Sequence, residues 1–155
     1  MGVVMFYHLT RSTPAETVMS LVTRALAQGW RVMIRGTDMA ALDQLDGQLW
    51  LGPEDGFLPH GLAGGPCDAD QPVLLGQGAA VNGATALVLL DGAEAGAAEI
   101  SAMQRIWVLF DGADDARLQA ARVHWKALSG AGVAAQYWSE AGGRWEKKAE
   151  TQAAG

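Results

Sequence analysis

The chain reads as an α/β domain built on a mostly parallel sheet. Three observations predict this. Apolar runs suited to buried strands alternate with segments of helical periodicity, opening strand–helix–strand–helix, an order that implies parallel pairing through crossover helices. The 155 residues suit one domain, long enough to bury roughly two-thirds of its unfolded surface. Half of them (50%) are hydrophobic and only 18% are charged, which excludes disorder over most of the length.

Each element has its own signal. Residues 3–9 (VVMFYHL) form an apolar run with β-branched and aromatic members, a first buried strand. Thr13-Pro14-Ala15-Glu16 follows. A Thr cap, Pro at the first helical position and Glu three after the cap make a capping box. Val18, Leu21, Val22, Ala25 and Leu26 then recur at helical spacing until Gly29, the residue favoured where a helix ends in left-handed backbone. Residues 30–35 (WRVMIR) predict the second strand, and Met39, Leu42 and Leu45 a short helix starting at Thr37 or Asp38. A short strand is expected at 48–51, then an ordered loop over the Gly- and Pro-rich residues 52–72.

Strands are predicted at 73–75, 86–90 and 106–110, the last two ending at the turn dipeptides Asp91-Gly92 and Asp111-Gly112. A short helix is expected over 94–103, a long one over 114–129, and a hairpin of 136–139 with 144–146. From 147 onward the chain reads as a polar, Ala-rich tail. The expected organisation is one domain over residues 1–148 and a flexible tail at 149–155.

Composition narrows the function classes. The formal net charge of -6 argues against general affinity for nucleic-acid backbones, so little or no direct DNA binding is expected. Apolar runs fall far short of the roughly 20 residues needed to span a bilayer. Cys67 is the single cysteine, so no internal disulfide forms. With no secretory arrangement at the N-terminus, a cytoplasmic location is the expectation.

No catalytic constellation stands out. The first strand–helix turn, Thr10-Arg11-Ser12-Thr13-Pro14, has no glycine, and neither G-x-G-x-x-G nor the P-loop pattern occurs. Backbone there is ill suited to a pyrophosphate. His8, His60 and His124 are far apart, and Cys67 has no nearby Cys or His in zinc-ligand spacing. A nucleophile set of Cys67, His60 and Asp68 can be drawn, but a lone thiol carries no activating signal. No cofactor and no metal are expected.

One helix departs from the acidic background. No Asp or Glu occurs between Asp115 and Glu140, whereas Arg117, Arg122 and Lys126 do. Arg122 and Lys126 are four apart and share a helix face, with Trp125 adjacent. In one reading Trp125 is core, on the stripe of Leu118, Ala121 and Leu128, and the cations are a solvated flank. In the other, Trp125 walls an apolar pocket and the cations take a carboxylate, a description that fits a peptide's acidic terminus. The second candidate surface is Leu49-Trp50-Leu51 leading to Phe57-Leu58-Pro59, aromatics beside a long loop that suit a protein interface as well as local packing.

These residues carry a resemblance. Phe6-Tyr7-His8-Leu9, Gly29-Trp30-Arg31-Val32, Leu42-Asp43 with Leu45-Asp46 and Leu49-Trp50, Phe57-Leu58-Pro59-His60-Gly61-Leu62-Ala63-Gly64, Gln71-Pro72-Val73, Asn82-Gly83, Ala121-Arg122 with Trp125-Lys126, and Ala131-Gly132 occur in order over roughly residues 5–148. In this the chain resembles the chi subunit of bacterial DNA polymerase III holoenzyme, a clamp-loader accessory protein. The resemblance implies a three-layer α/β/α sandwich with a mostly parallel, Rossmann-like sheet lacking a nucleotide site, and a non-catalytic adaptor. It implies that Arg122, Trp125 and Lys126, with Phe110 nearby, bind the acidic C-terminal tail of the single-stranded-DNA-binding protein. It also implies that Trp50, Phe57 and Pro59 meet a psi subunit or a helicase. The alternatives are a small α/β nucleotide-binding protein or enzyme with an unrecognised site, and a structural partner that oligomerises through the aromatic loop.

Overall fold

β1 (Val3–Leu9) is an interior strand of the sheet, two strands from one edge, and is followed by α1 (Pro14–Ala27). The capping box is formed: Glu16 N–H donates to the Thr13 hydroxyl at 3.1 Å, and Thr13 N–H donates to the Glu16 carboxylate at 3.2 Å. Gly29, at φ 82°, ends the helix in the left-handed region. β2 (Val32–Arg35), α2 (Met39–Trp50) and β3 (Gly61–Leu62) follow, then a short 3-10 helix at Asp68–Asp70, β4 (Val73–Gly76) and β5 (Ala86–Leu89). α3 (Ala97–Ser101), β6 (Arg105–Asp111), α4 (Asp115–Gly130), β7 (Ala135–Ser139) and β8 (Glu146–Thr151) complete the chain. The computed structural model describes residues 3–10, 13–50, 60–63, 68–78, 81–90, 92–112, 114–140 and 144–151.

The strands form one sheet in the order β3-β4-β2-β5-β6-β1-β7-β8. Every described pairing is parallel except β7 with β8. Helices cover both faces. Val18, Leu21 and Val22 of α1 and Leu42, Leu45 and Leu49 of α2 pack on Ile34, Leu75, Val88 and Leu109. Ile100 of α3 and Ala121 and Leu128 of α4 pack on Val4, Phe6, Met33, Leu87 and Ile106. Alternate residues of each central strand serve opposite cores, so β2, β4 and β5 are buried at every position; parallel strands covered on both faces require this. The architecture is the expected α/β sandwich.

Several boundaries differ from the sequence reading. The strand expected at 48–51 is the last turn of α2, because Leu42, Leu45 and Leu49 form one buried helical stripe; Leu51 lies outside the described residues. Within the expected loop 52–72 the two-residue β3 pairs with β4, a strand too short to show a period. The helix over 94–103 contracts to Ala97–Ser101, where Gly96 and Ala102 cap it. Residues 147–151, read as tail, are strand, so the regular structure passes the expected boundary at 148. An edge strand facing water needs no apolar alternation, which is why its polar sequence concealed it.

One ion pair ties the sheet to a helix. Arg35 donates to both carboxylate oxygens of Glu99, at 2.8 and 2.6 Å, with the Arg35 residue only 9% exposed. The hydrogen bond from Arg35 holds the Glu99 carboxyl below its ordinary range, and Glu99 raises Arg35 in return.

Candidate functional site

α4 starts where Asp114 Oδ1 accepts the N–H groups of Ala116 (3.0 Å) and Arg117 (3.2 Å). Ala121, His124 and Leu128 are its buried residues. The sequence left Trp125 either in the core or at the stripe's edge; the structure puts His124 at the core position and leaves Trp125 half-buried at the edge. Its indole meets Phe6 edge-on at 5.3 Å between centroids and Tyr137 at 6.0 Å. Such pairs stabilise by about 0.5–1.5 kcal/mol beyond burial.

Arg122 and Lys126 are exposed beside that indole. Together with Val123 and Gln119 they face Tyr137 of β7 and Ala149 of β8 across an open groove of about 380 Å³. The ion pairs among the described residues involve Arg35, His60, Arg144, Lys147 and Lys148, and none involves Arg122 or Lys126. The groove therefore combines two exposed cations with an aromatic wall.

Behind it the rings are locked in sequence. The Tyr137 hydroxyl and His8 Nδ1 share a hydrogen bond of 3.0 Å, and His8 packs on Phe110 at 5.3 Å. A Cβ at Gly112 would fall inside the His8 imidazole, so glycine there is a requirement of close approach. Burial lowers the His8 pKa, and the charge of Arg122 pushes the same way against Asp111 and Glu140. Burial raises the Tyr137 pKa while Arg122 opposes it. The positive field of Arg122 thus reaches both groups.

Phe110 is 6% exposed and stands 5.9 Å from Tyr137, but does not itself line the groove. Trp50 is the last residue of α2, while Phe57 and Pro59 lie outside the described residues. His60 Nε2 sits 3.2 Å from the Asp46 carbonyl oxygen, and Cys67 lies outside the described residues. Sequence reasoning missed Phe6, His8 and Tyr137 as parts of the site. The signal for Phe6 and His8 was the period-2 alternation of β1, which sends both to the α4 face; Tyr137 comes from β7, beside Phe6 in the parallel register.

The carboxyl ends of β1, β5 and β6 border a different cleft, of about 470 Å³, lined in part by Leu9, Asp111, Asp114 and Arg117. Among the described residues no three of His, Cys, Asp or Glu gather as a metal set, and no helix is long and apolar enough to cross a membrane.

The sequence profile of the DNA polymerase III chi subunit, HolC, matches residues 1–136. The chain belongs to the DNA polymerase III chi subunit family. A DNA polymerase III subunit chi from Pseudomonas aeruginosa is 36% identical over 76 residues, 47% of this chain and 52% of the relative. The matched stretch thus spans about half of that relative's length. Chi is an accessory subunit of the replicative polymerase, and no catalytic role is indicated for it. In this chi-family chain Arg122, Trp125 and Lys126 lie inside the matched residues, and Tyr137 and Ala149 beyond them.

Proposed function

We propose that the chain is a replication adaptor that binds the acidic C-terminal tail of the single-stranded-DNA-binding protein in the α4–β7 groove and links it to the clamp-loader complex. The observation that carries this reading is the pair of exposed cations, Arg122 and Lys126, lining one groove with a half-buried indole. A terminal carboxylate and acidic side chains supply anions for these cations, which have no ion-pair partner among the described residues. An aromatic terminal residue packs against Trp125 and Tyr137. Charge-assisted hydrogen bonds give direction and the rings give area.

A second partner, psi or a helicase, is proposed for the surface around Trp50, Phe57 and Pro59. We place the assembly in the cytoplasm. The nucleotide-binding alternative has weaker support, because the cleft at the strand ends presents Asp111 and Asp114, and Asp114 already occupies the first amides of α4.

Fluorescence anisotropy with an acidic peptide ending in Pro-Phe tests the adaptor reading. The expected affinity is micromolar, about -7 to -9 kcal/mol, weakening with salt. Arg122→Glu with Lys126→Glu is expected to reduce it at least tenfold. Undiminished binding by that double variant rules this groove out.

A further inference from the structure

The α1 face of the same sheet edge carries a second groove, of about 540 Å³, between α1 and the β1–β7 strands. Tyr7, Trp138 and Trp145 supply its rings. Tyr7 and Trp145 lie 4.9 Å apart at a tilt of 37°, and Trp145 keeps 38% of its surface exposed. Trp138 is fixed by its Nε1–H, which donates to Gln136 Oε1 at 3.0 Å.

Two guanidinium groups, Arg24 and Arg105, line the same space. Neither takes part in the ion pairs among the described residues. Arg105 Nε is buried without a hydrogen-bond partner, and its Nη1 is directed at Met5 Sδ, 3.4 Å away. The carboxylate in the lining, Glu16, is engaged by the Thr13 amide. Hydroxyls of Thr17 and Ser20 border the opening.

Cations beside a pair of close aromatic rings suit a ligand that is both anionic and flat. The groove lies on a sheet face, where β1 and β7 use their main-chain groups on each other. A peptide finds no free strand edge there, so recognition falls to rings and guanidinium groups, the means by which single strands are held. The volume falls within the usual range for pockets that take small organic ligands, which corresponds to one or two nucleotides.

We propose that this groove binds a short stretch of single-stranded nucleic acid, one base packing on the exposed Trp145 beside Tyr7 while Arg24 and Arg105 take adjacent phosphates. The net charge of -6 keeps the contact local and dependent on low salt. Trp138 and Trp145 lie beyond residues 1–136 matched by the family profile, whereas Tyr7, Arg24 and Arg105 lie within them.

Tryptophan fluorescence titrated with a short oligothymidylate at low salt is the test. Saturable quenching is expected, with log affinity falling against log salt at a slope of about -1.4 for two phosphates. Trp145→Ala is expected to weaken binding about tenfold, the loss of one stacked base, and Trp145→Phe to restore most of it. Arg24→Glu, on an exposed helical position, tests the charge without touching the core and should weaken binding at least fivefold. The Arg122→Glu, Lys126→Glu variant should bind oligothymidylate as the parent does, which separates this site from the tail groove. Absence of saturable quenching overturns the proposal. So does oligonucleotide binding indifferent to both Trp145→Ala and Arg24→Glu, or an acidic peptide being the ligand those variants lose.

Discussion

Trp125 shows how one side chain serves two surfaces. Its edge contact with Phe6 anchors α4 to the sheet, and its free side walls the groove. Trp125→Ala is therefore expected to weaken tail-peptide binding by about 1–3 kcal/mol and to lower unfolding stability by about 2–4 kcal/mol. Anisotropy and urea titration separate the two, and Trp125→Phe should recover most of both. Gly112→Ala drives a methyl into the His8 ring and should destabilise by about 1–3 kcal/mol, with the Tyr137–His8 hydrogen bond disturbed. His8 and His124 set a pH dependence. Burial lowers both below the usual 6.5, so the unfolded chain takes up protons at a higher pH than the folded one. Stability from these groups is present above 6.5 and is lost as pH falls from there through the depressed folded values. Melting temperature should drop between neutral pH and pH 5, and His124→Gln should flatten part of that drop. At this scale Arg122, Lys126 and Trp125 were legible from charge and spacing. His124 at a core position was not, since helical periodicity cannot tell which of two adjacent aromatic residues faces inward.

At the scale of elements, α1 and α4 were legible because caps, periods and stops agree locally. Thr13→Ala removes the capping hydroxyl and should lower stability by about 1 kcal/mol in a denaturant titration. α3 depends instead on a distant partner. Glu99→Ala leaves Arg35 buried without its carboxylate, and a loss of about 3 kcal/mol is expected. β8 had no apolar pattern to announce it. It is held by pairing with β7 and by the Thr151 hydroxyl, which accepts from Ala135 N–H and donates to the Val133 carbonyl, both at 3.1 Å. Deleting residues 141–155 uncovers the β7 edge. The expected result is a lower melting temperature with concentration-dependent association, measured by light scattering. A truncated chain that stays monomeric and equally stable would remove β8 from the folded unit.

Across the whole molecule, the two faces of one sheet edge emerge as differently equipped. One presents Arg122, Trp125, Lys126 and Tyr137, and the other Arg24, Arg105, Tyr7 and Trp145. Ligands bound to opposite faces of that edge would not compete for the same rings. The order of strands and helices, the burial of the parallel strands and the basic character of α4 were determined by the sequence itself, since each follows from local period, capping and charge. Which rings meet, which cations enter ion pairs and where the eighth strand adds were decided only by the tertiary structure. Tyr137 stands 129 positions from His8 along the chain, and Arg105 lies far from Arg24. Contacts between such distant residues arise from sheet order and register, which no local pattern encodes.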